Sequence, residues 1–236
     1  MAKTAKLAGT KAHTRYVVEV DGEKRQVPGV TTVTRLHGGS KEVLIKWANN
    51  QGLEGIDVAK VKDKAADIGT CAHYLVECYL KQVAPDLSLY SPDTVGMAEN
   101  ACLSYFEWEK NHDVEAILTE GQLVHDGLFF GGTIDLYARV DGIHSLVDFK
   151  TGSGIYPEHL YQVAAYRNLL VVNGYTVDSV RILRIGRDEN EGFEDKLVPN
   201  SELDLRWKGF RALLDLYYVE KEIRQGKAKL KKEGKE

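Results

Sequence analysis

The chain has 236 residues, 31 basic against 35 acidic side chains, and a net charge of −4. That is enough chain for one domain with a substantial core, and 43% hydrophobic with 28% charged residues is an ordinary globular composition. The acidic balance argues against a passive DNA-coating protein, yet it leaves room for a local basic channel, because metal ions at an acidic centre offset several carboxylates.

In chain order, MAKTAKLAGTKAH has basic residues but no apolar segment, which reads as a disordered start and not as a secretory signal. Residues 14–35 read as a hairpin followed by a short element, TRYVVEV then a DGEKR turn then QVPGVTTVTRL. A helix is expected over about 41–50 with Ser40 as its N-cap, and together these form an extension over 14–60. A second helix is expected at 63–82, with Ile68, Ala72, Leu75, Val76 and Tyr79 as its core-facing stripe. Residues 85–94 read as a loop, 94–111 as a third helix, and 114–125 as a strand or bent strand pair. After a hairpin over 131–150 come a loop at 151–154, a helix from Pro157 to Val172 stopped by Asn173-Gly174, and a strand at 178–186. An amphipathic helix at 201–225 and a frayed charged tail at 226–236 complete one domain with a core over about 63–186. The fold class is therefore α/β, a mixed central sheet flanked by helices. No apolar run approaches the roughly 18 residues of a membrane span. Cys71, Cys78 and Cys102 give no disulfide framework and fit a reducing cytoplasm.

The hairpin GGTIDLYARVDGIHSLVDFKTG carries the most information. Asp141-Gly142 is a strong two-residue turn signal, since both positions need positive φ. Pairing Val140 with Ile143 across that turn puts Asp135 opposite Asp148 and Thr133 opposite Lys150. Opposed residues share a face with Cβ atoms roughly 4.5–5.5 Å apart. Two carboxylates so placed repel unless a cation lies between them, so the pattern points to a divalent metal with a lysine beside it. A solvated strand edge is the plain alternative for an Asp-x-Lys alone.

On the 63–82 helix, His73 and Glu77 share a face and Gly69 lies one turn before His73. A glycine inside a helix costs roughly 1 kcal/mol against alanine, so a close neighbour there is expected. His73 satisfied by Glu77 is the structural alternative. Gln162 and Tyr166 likewise stand four apart on the later helix.

Taken together, IGTCAHYLVE, Glu120, GGTIDLY, VDFKTG and YQVAAY resemble the PD-(D/E)XK nuclease superfamily. The similarity is to its RecB-like branch, which includes phage-type exonucleases, and it covers about residues 15–186. Gly69 and His73 match a Gly-x-x-x-His helix, Gly132 and Asp135 a Gly-x-x-Asp strand, Asp148 and Lys150 an Asp-x-Lys strand, and Gln162 and Tyr166 a Gln-x-x-x-Tyr helix. The resemblance implies a restriction-endonuclease-like core and a metal-dependent deoxyribonuclease giving 5′-phosphate products, most often from DNA ends. His73, Asp135, Asp148 and the Phe149 carbonyl would hold Mg²⁺ or Mn²⁺, since oxygen ligands suit Mg²⁺ and a histidine improves the match to Mn²⁺. Lys150 would act in the transition state, braced by Gln162 and Tyr166, with Glu120 at a second metal through water. Lys46, Glu77, Arg184 and Arg187 are candidate DNA contacts, and a single-strand-annealing recombination protein is an implied partner. Some relatives carry an iron–sulfur cluster whose cysteines mostly follow the Gln-x-x-x-Tyr helix. Here no cysteine follows Cys102, so no cluster is expected. The competing readings are a structure-specific endonuclease and a DNA-binding recombination accessory without catalysis. A phosphate loop at TGSG (151–154) is disfavoured because it lacks the glycine-lysine-serine/threonine ending.

Overall fold

The computed structural model describes residues 15–39, 41–188 and 190–232. Ser40, the start expected to be disordered and the last four residues of the tail lie outside the described residues. The chain opens with a two-stranded antiparallel sheet, β1 (Tyr16–Val20) and β2 (Glu23–Val27). The turn is shorter than the DGEKR expected from the sequence. Only Asp21 and Gly22 take positive φ, at 52° and 79°, so Glu23, Lys24 and Arg25 join the strand. Three helices follow a short α1 (Val30–Thr34): α2 (Lys41–Leu53), α3 (Val58–Leu80) and α4 (Pro92–Glu109).

Caps explain where two of these begin. Asp57 accepts hydrogen bonds from the Ala59 and Lys60 N–H groups, which starts α3 five residues ahead of the expected position 63. Ser91 caps the Thr94 N–H with Pro92 in the first turn, so α4 begins inside the expected loop. Along α3 the buried set is Ile68, Cys71, Ala72, Tyr74, Val76 and Cys78. Tyr79 is a correction to the expected stripe: it is exposed and donates its hydroxyl to Glu109.

The main sheet has five strands in the order β3 (Val114–His125), β4 (Phe130–Val140), β5 (Ile143–Lys150), β6 (Ser179–Ile185) and β7 (Phe193–Leu197). β5 and β6 are parallel and joined through α5 (Pro157–Val172), and every other pair is antiparallel. β7 is an edge strand that the sequence reading did not contain. α6 (Asn200–Lys232) runs past the expected end at 225 into the stretch expected to fray. The protein is thus a mixed α/β fold, a five-stranded mixed sheet flanked by helices. No helix among the described residues is long and apolar enough to cross a membrane.

Two hydrophobic cores cover the two sheet faces. On one side Leu136, Val147, Phe149 and Leu183 pack against Ala72 and Val76 of α3 and Tyr105 of α4. On the other, Ile134, Leu146 and Ile182 pack against Val163 and Leu169 of α5 and Phe210 of α6. β4 runs between the two and is buried along almost its whole length.

Candidate metal centre and active site

Asp141 and Gly142 adopt φ of 52° and 79°, and the β4–β5 ladder runs in register from Val140↔Ile143 to Leu136↔Val147. One step further stand Asp135 and Asp148. Here the backbone ladder gives way: the Asp135 carboxylate accepts the Phe149 N–H at 2.9 Å through Oδ2. The sheet opens at this point, and helices from both faces reach into the opening.

From α3 comes His73, its Nδ1 3.6 Å from Asp135 Oδ1 and 3.8 Å from Glu120 Oε1. Ligand atoms of His73, Glu120 and Asp135 all lie within 4.8 Å of one another. From α5 comes Gln162, whose Nε2 donates to Tyr166 Oη at 3.0 Å and to Asp148 Oδ1 at 3.4 Å. Asp148 is turned toward that second group. Its Oδ2 is 2.5 Å from Lys150 Nζ, a charge contact without an aligned hydrogen bond, while Lys150 also donates to the Phe149 carbonyl at 3.4 Å. The residues expected from the sequence thus sort into a His73–Glu120–Asp135 cluster and an Asp148–Lys150–Gln162–Tyr166 cluster.

Glu120 reaches its cluster through a β-bulge. β3 pairs Ala116 with Ala138 but Leu118 with Tyr137, so one extra residue, Ile117, shifts the register. Beyond it Thr119 pairs with Leu136 and Gly121 with Ile134, which sets Glu120 across from Asp135. Glu120 itself holds φ at 51°, a left-handed conformation that costs a non-glycine residue of order 1–3 kcal/mol. Strain of this kind persists where surrounding structure overdetermines it.

Glycines let the elements close on this point. A Cβ on Gly69 would meet Thr151 Oγ1 at 2.7 Å, so α3 lies against the loop that follows Lys150. A Cβ on Gly132 would meet the Tyr166 ring at 2.6 Å, so α5 lies against β4. The Tyr16 and Thr133 hydroxyls hydrogen-bond at 2.8 Å, tying β1 to the strand that carries Asp135.

The electrostatics are strained. Asp148 is fully buried, and burial pushes its carboxyl up to about 6, with Lys150 pulling down and Asp135 pushing up. Burial, then Asp135 and Asp148, hold the Tyr166 phenol well above its usual value, so it stays neutral. Three carboxylates, one lysine and one histidine gather here, and buried like charges are stable only with a cation or a proton. A divalent cation fits the donor set of one imidazole and several carboxylate oxygens.

The other expected contacts stand outside these two clusters. Glu77 accepts from Lys81 at 2.5 Å. Arg184 pairs with Glu194 of β7 at 3.4 Å, and Arg187 is gripped by both carboxylate oxygens of Glu191. Lys46 lies exposed on α2. One group was missed in the sequence: His159, in the first turn of α5 and three residues before Gln162, is electrostatically coupled to Lys150. Its Nδ1 accepts the Tyr156 N–H at 3.1 Å, and burial, then Lys150, lower its pKa to about 3. A histidine in the first turn of the Gln162 helix was the available signal.

No family model matches the chain, and no curated protein matches it. Among solved structures it is similar to the crystal structure of LHK-Exo in complex with dAMP, at 13% identity and a TM-score of 0.38, over 71% of this chain and 92% of that one.

Proposed function

We propose that the chain is a divalent-metal-dependent deoxyribonuclease, acting as an exonuclease on DNA ends. The observation that carries this reading is the convergence of His73, Glu120 and Asp135 beside a buried Asp148–Lys150 pair. His73, Asp135 and Glu120 would hold the cation, with Asp148 and the Phe149 carbonyl at its margin. A bound Mg²⁺ or Mn²⁺ supplies an acidified water and neutralises charge on a phosphodiester. Lys150 stabilises the extra negative charge that develops on the phosphoryl oxygens, from a position fixed by Asp148. Gln162 orients Asp148 and Tyr166 together, and the neutral Tyr166 hydroxyl keeps that corner free of further negative charge. The order Gly69-His73, Glu120, Asp135, Asp148-Lys150, Gln162-Tyr166 along the sequence supports action on DNA, by its resemblance to RecB-like nucleases. An accessory that only bound DNA would gain nothing from buried carboxylates facing phosphates. The resemblance alone carries digestion from ends, 5′-phosphate products and a recombination partner.

The test is a gel of end-labelled single- and double-stranded DNA incubated with Mg²⁺, Mn²⁺, Ca²⁺ or EDTA. Expected are metal-dependent release of 5′-mononucleotides with Mg²⁺ or Mn²⁺, and binding without turnover in Ca²⁺, whose larger coordination sphere aligns water poorly. Discrete internal fragments would make it an endonuclease. Equal binding in EDTA with no products under any metal would retire the nuclease reading.

A further inference from the structure

A groove of about 530 Å³ opens beside the site, between α2, the first half of α3 and the loop after Lys150. Its lining includes the rings of Trp47 and Tyr156 and three cations, Lys62, Lys64 and Arg187. No carboxylate of the described residues lines it, although acids outnumber bases in the whole chain. Ala65, also in the lining, lies two helical turns before His73, about 12 Å along the α3 axis. At the other side, Ser153 and Tyr156 lie three and six residues after Lys150, and Thr151 packs on Gly69. The groove therefore shares helix α3 with His73 and the loop after Lys150 with the second cluster.

We propose that this groove binds the unpaired end of a single nucleic-acid strand and leads it to the site, a role that rests on the nuclease reading. Bases have free faces for an aromatic ring only when they are unstacked from a duplex, and stacking on Trp or Tyr tolerates any sequence. Trp47 and Tyr156, the latter exposed, provide such faces. Lys62 provides positive charge that tracks the backbone, beside Lys64, which shares its charge with Asp93 at 2.5 Å, and Arg187, held in orientation by Glu191. A duplex end would then need to fray before the first phosphodiester reaches His73, Glu120 and Asp135.

The test uses the full chain in EDTA, so that no cleavage intervenes, with Trp fluorescence read against an eight-nucleotide oligothymidylate. Trp108 is buried and Trp207 packs in the core, so a Trp47→Phe variant isolates the Trp47 signal. Expected is quenching that disappears in Trp47→Phe, with binding weakened about fivefold or more in Trp47→Ala and a smaller salt dependence in Lys62→Ala/Lys64→Ala. Equal quenching by a blunt duplex, or by heparin, which has charge but no bases, overturns the proposal. So does a Trp47 that acrylamide cannot reach in the free protein, which would mean that another copy covers the groove. Digestion of single strands by Trp47→Ala with unchanged KM overturns the groove and leaves the nuclease reading intact. If the wild type digests nothing, the nuclease reading fails while the quenching still decides the groove.

Discussion

Glu120 faces Asp135 across the β3–β4 ladder from a left-handed backbone position, φ 51°, and the two carboxylates share His73 between them. Like charges brought together at the cost of backbone strain are a poor way to stabilise a sheet. They are a good way to hold a cation.

The first prediction separates those two purposes. Glu120→Gly removes both the strain and one of the facing charges, so the metal-free variant should melt at the same or a higher temperature than the wild type. Mn²⁺ affinity should fall at least tenfold, read by calorimetric titration. A variant that loses stability and keeps its metal affinity would place Glu120 among the structural residues.

A second prediction concerns Lys150. Lys150→Ala should cut DNA digestion by about two orders of magnitude or more while Mn²⁺ still binds, because the ammonium acts on the transition state. Removing it also leaves Asp148 fully buried without its counter-charge, so the metal-free variant should lose about 3–5 kcal/mol of stability. Saturating Mn²⁺ should restore part of that loss by mass action. Digestion at near wild-type rate would remove Lys150 from the catalytic role.

Much of this site can be located in the sequence, for a physical reason. Asp141-Gly142 fixes a two-residue turn, the turn fixes the register, and the register carries Asp135 and Asp148 to neighbouring positions at the far end of the hairpin. Helical spacing likewise brings Gln162 to Tyr166. Glu120 is different, because its place depends on one extra residue, Ile117, in a run with no glycine or proline to mark a bulge. The start of α3 was missed because VAKVKDKAAD shows little apolar face, and only the Asp57 cap declares it. β7, FEDKL, is a short edge strand whose charged residues meet Arg181 and Arg184 of β6, so its pairing is set by tertiary contacts and not by hydrophobic alternation.

The third prediction tests close packing at the site. Gly132→Ala should cost about 1–3 kcal/mol, since its Cβ would fall 2.6 Å from the Tyr166 ring and 2.9 Å from Leu169. In Tyr166→Ala the same change should cost less, so the double-mutant cycle by urea unfolding should be non-additive. Additive effects would mean that Tyr166 does not press on Gly132.

The fourth prediction is a pH dependence from His159. Its folded pKa, about 3, is below the unfolded 6.5, so the stability it contributes is full above pH 6.5 and is lost as pH falls toward 3. Asp148, raised to about 6, works in the opposite sense between about pH 4 and 6, so the useful quantity is variant minus wild type. His159→Gln should lose less stability than the wild type between pH 6.5 and 4, measured as urea midpoints. An unchanged difference across that window would mean that His159 is not kept neutral by burial.

A cation held by His73, Glu120 and Asp135 beside Lys150 would be seen in a crystal structure with Mn²⁺ by its anomalous density. One strong peak is expected about 2.0–2.6 Å from a His73 ring nitrogen and from carboxylate oxygens of Asp135 and Glu120. A peak elsewhere, or none at saturating Mn²⁺, would contradict it.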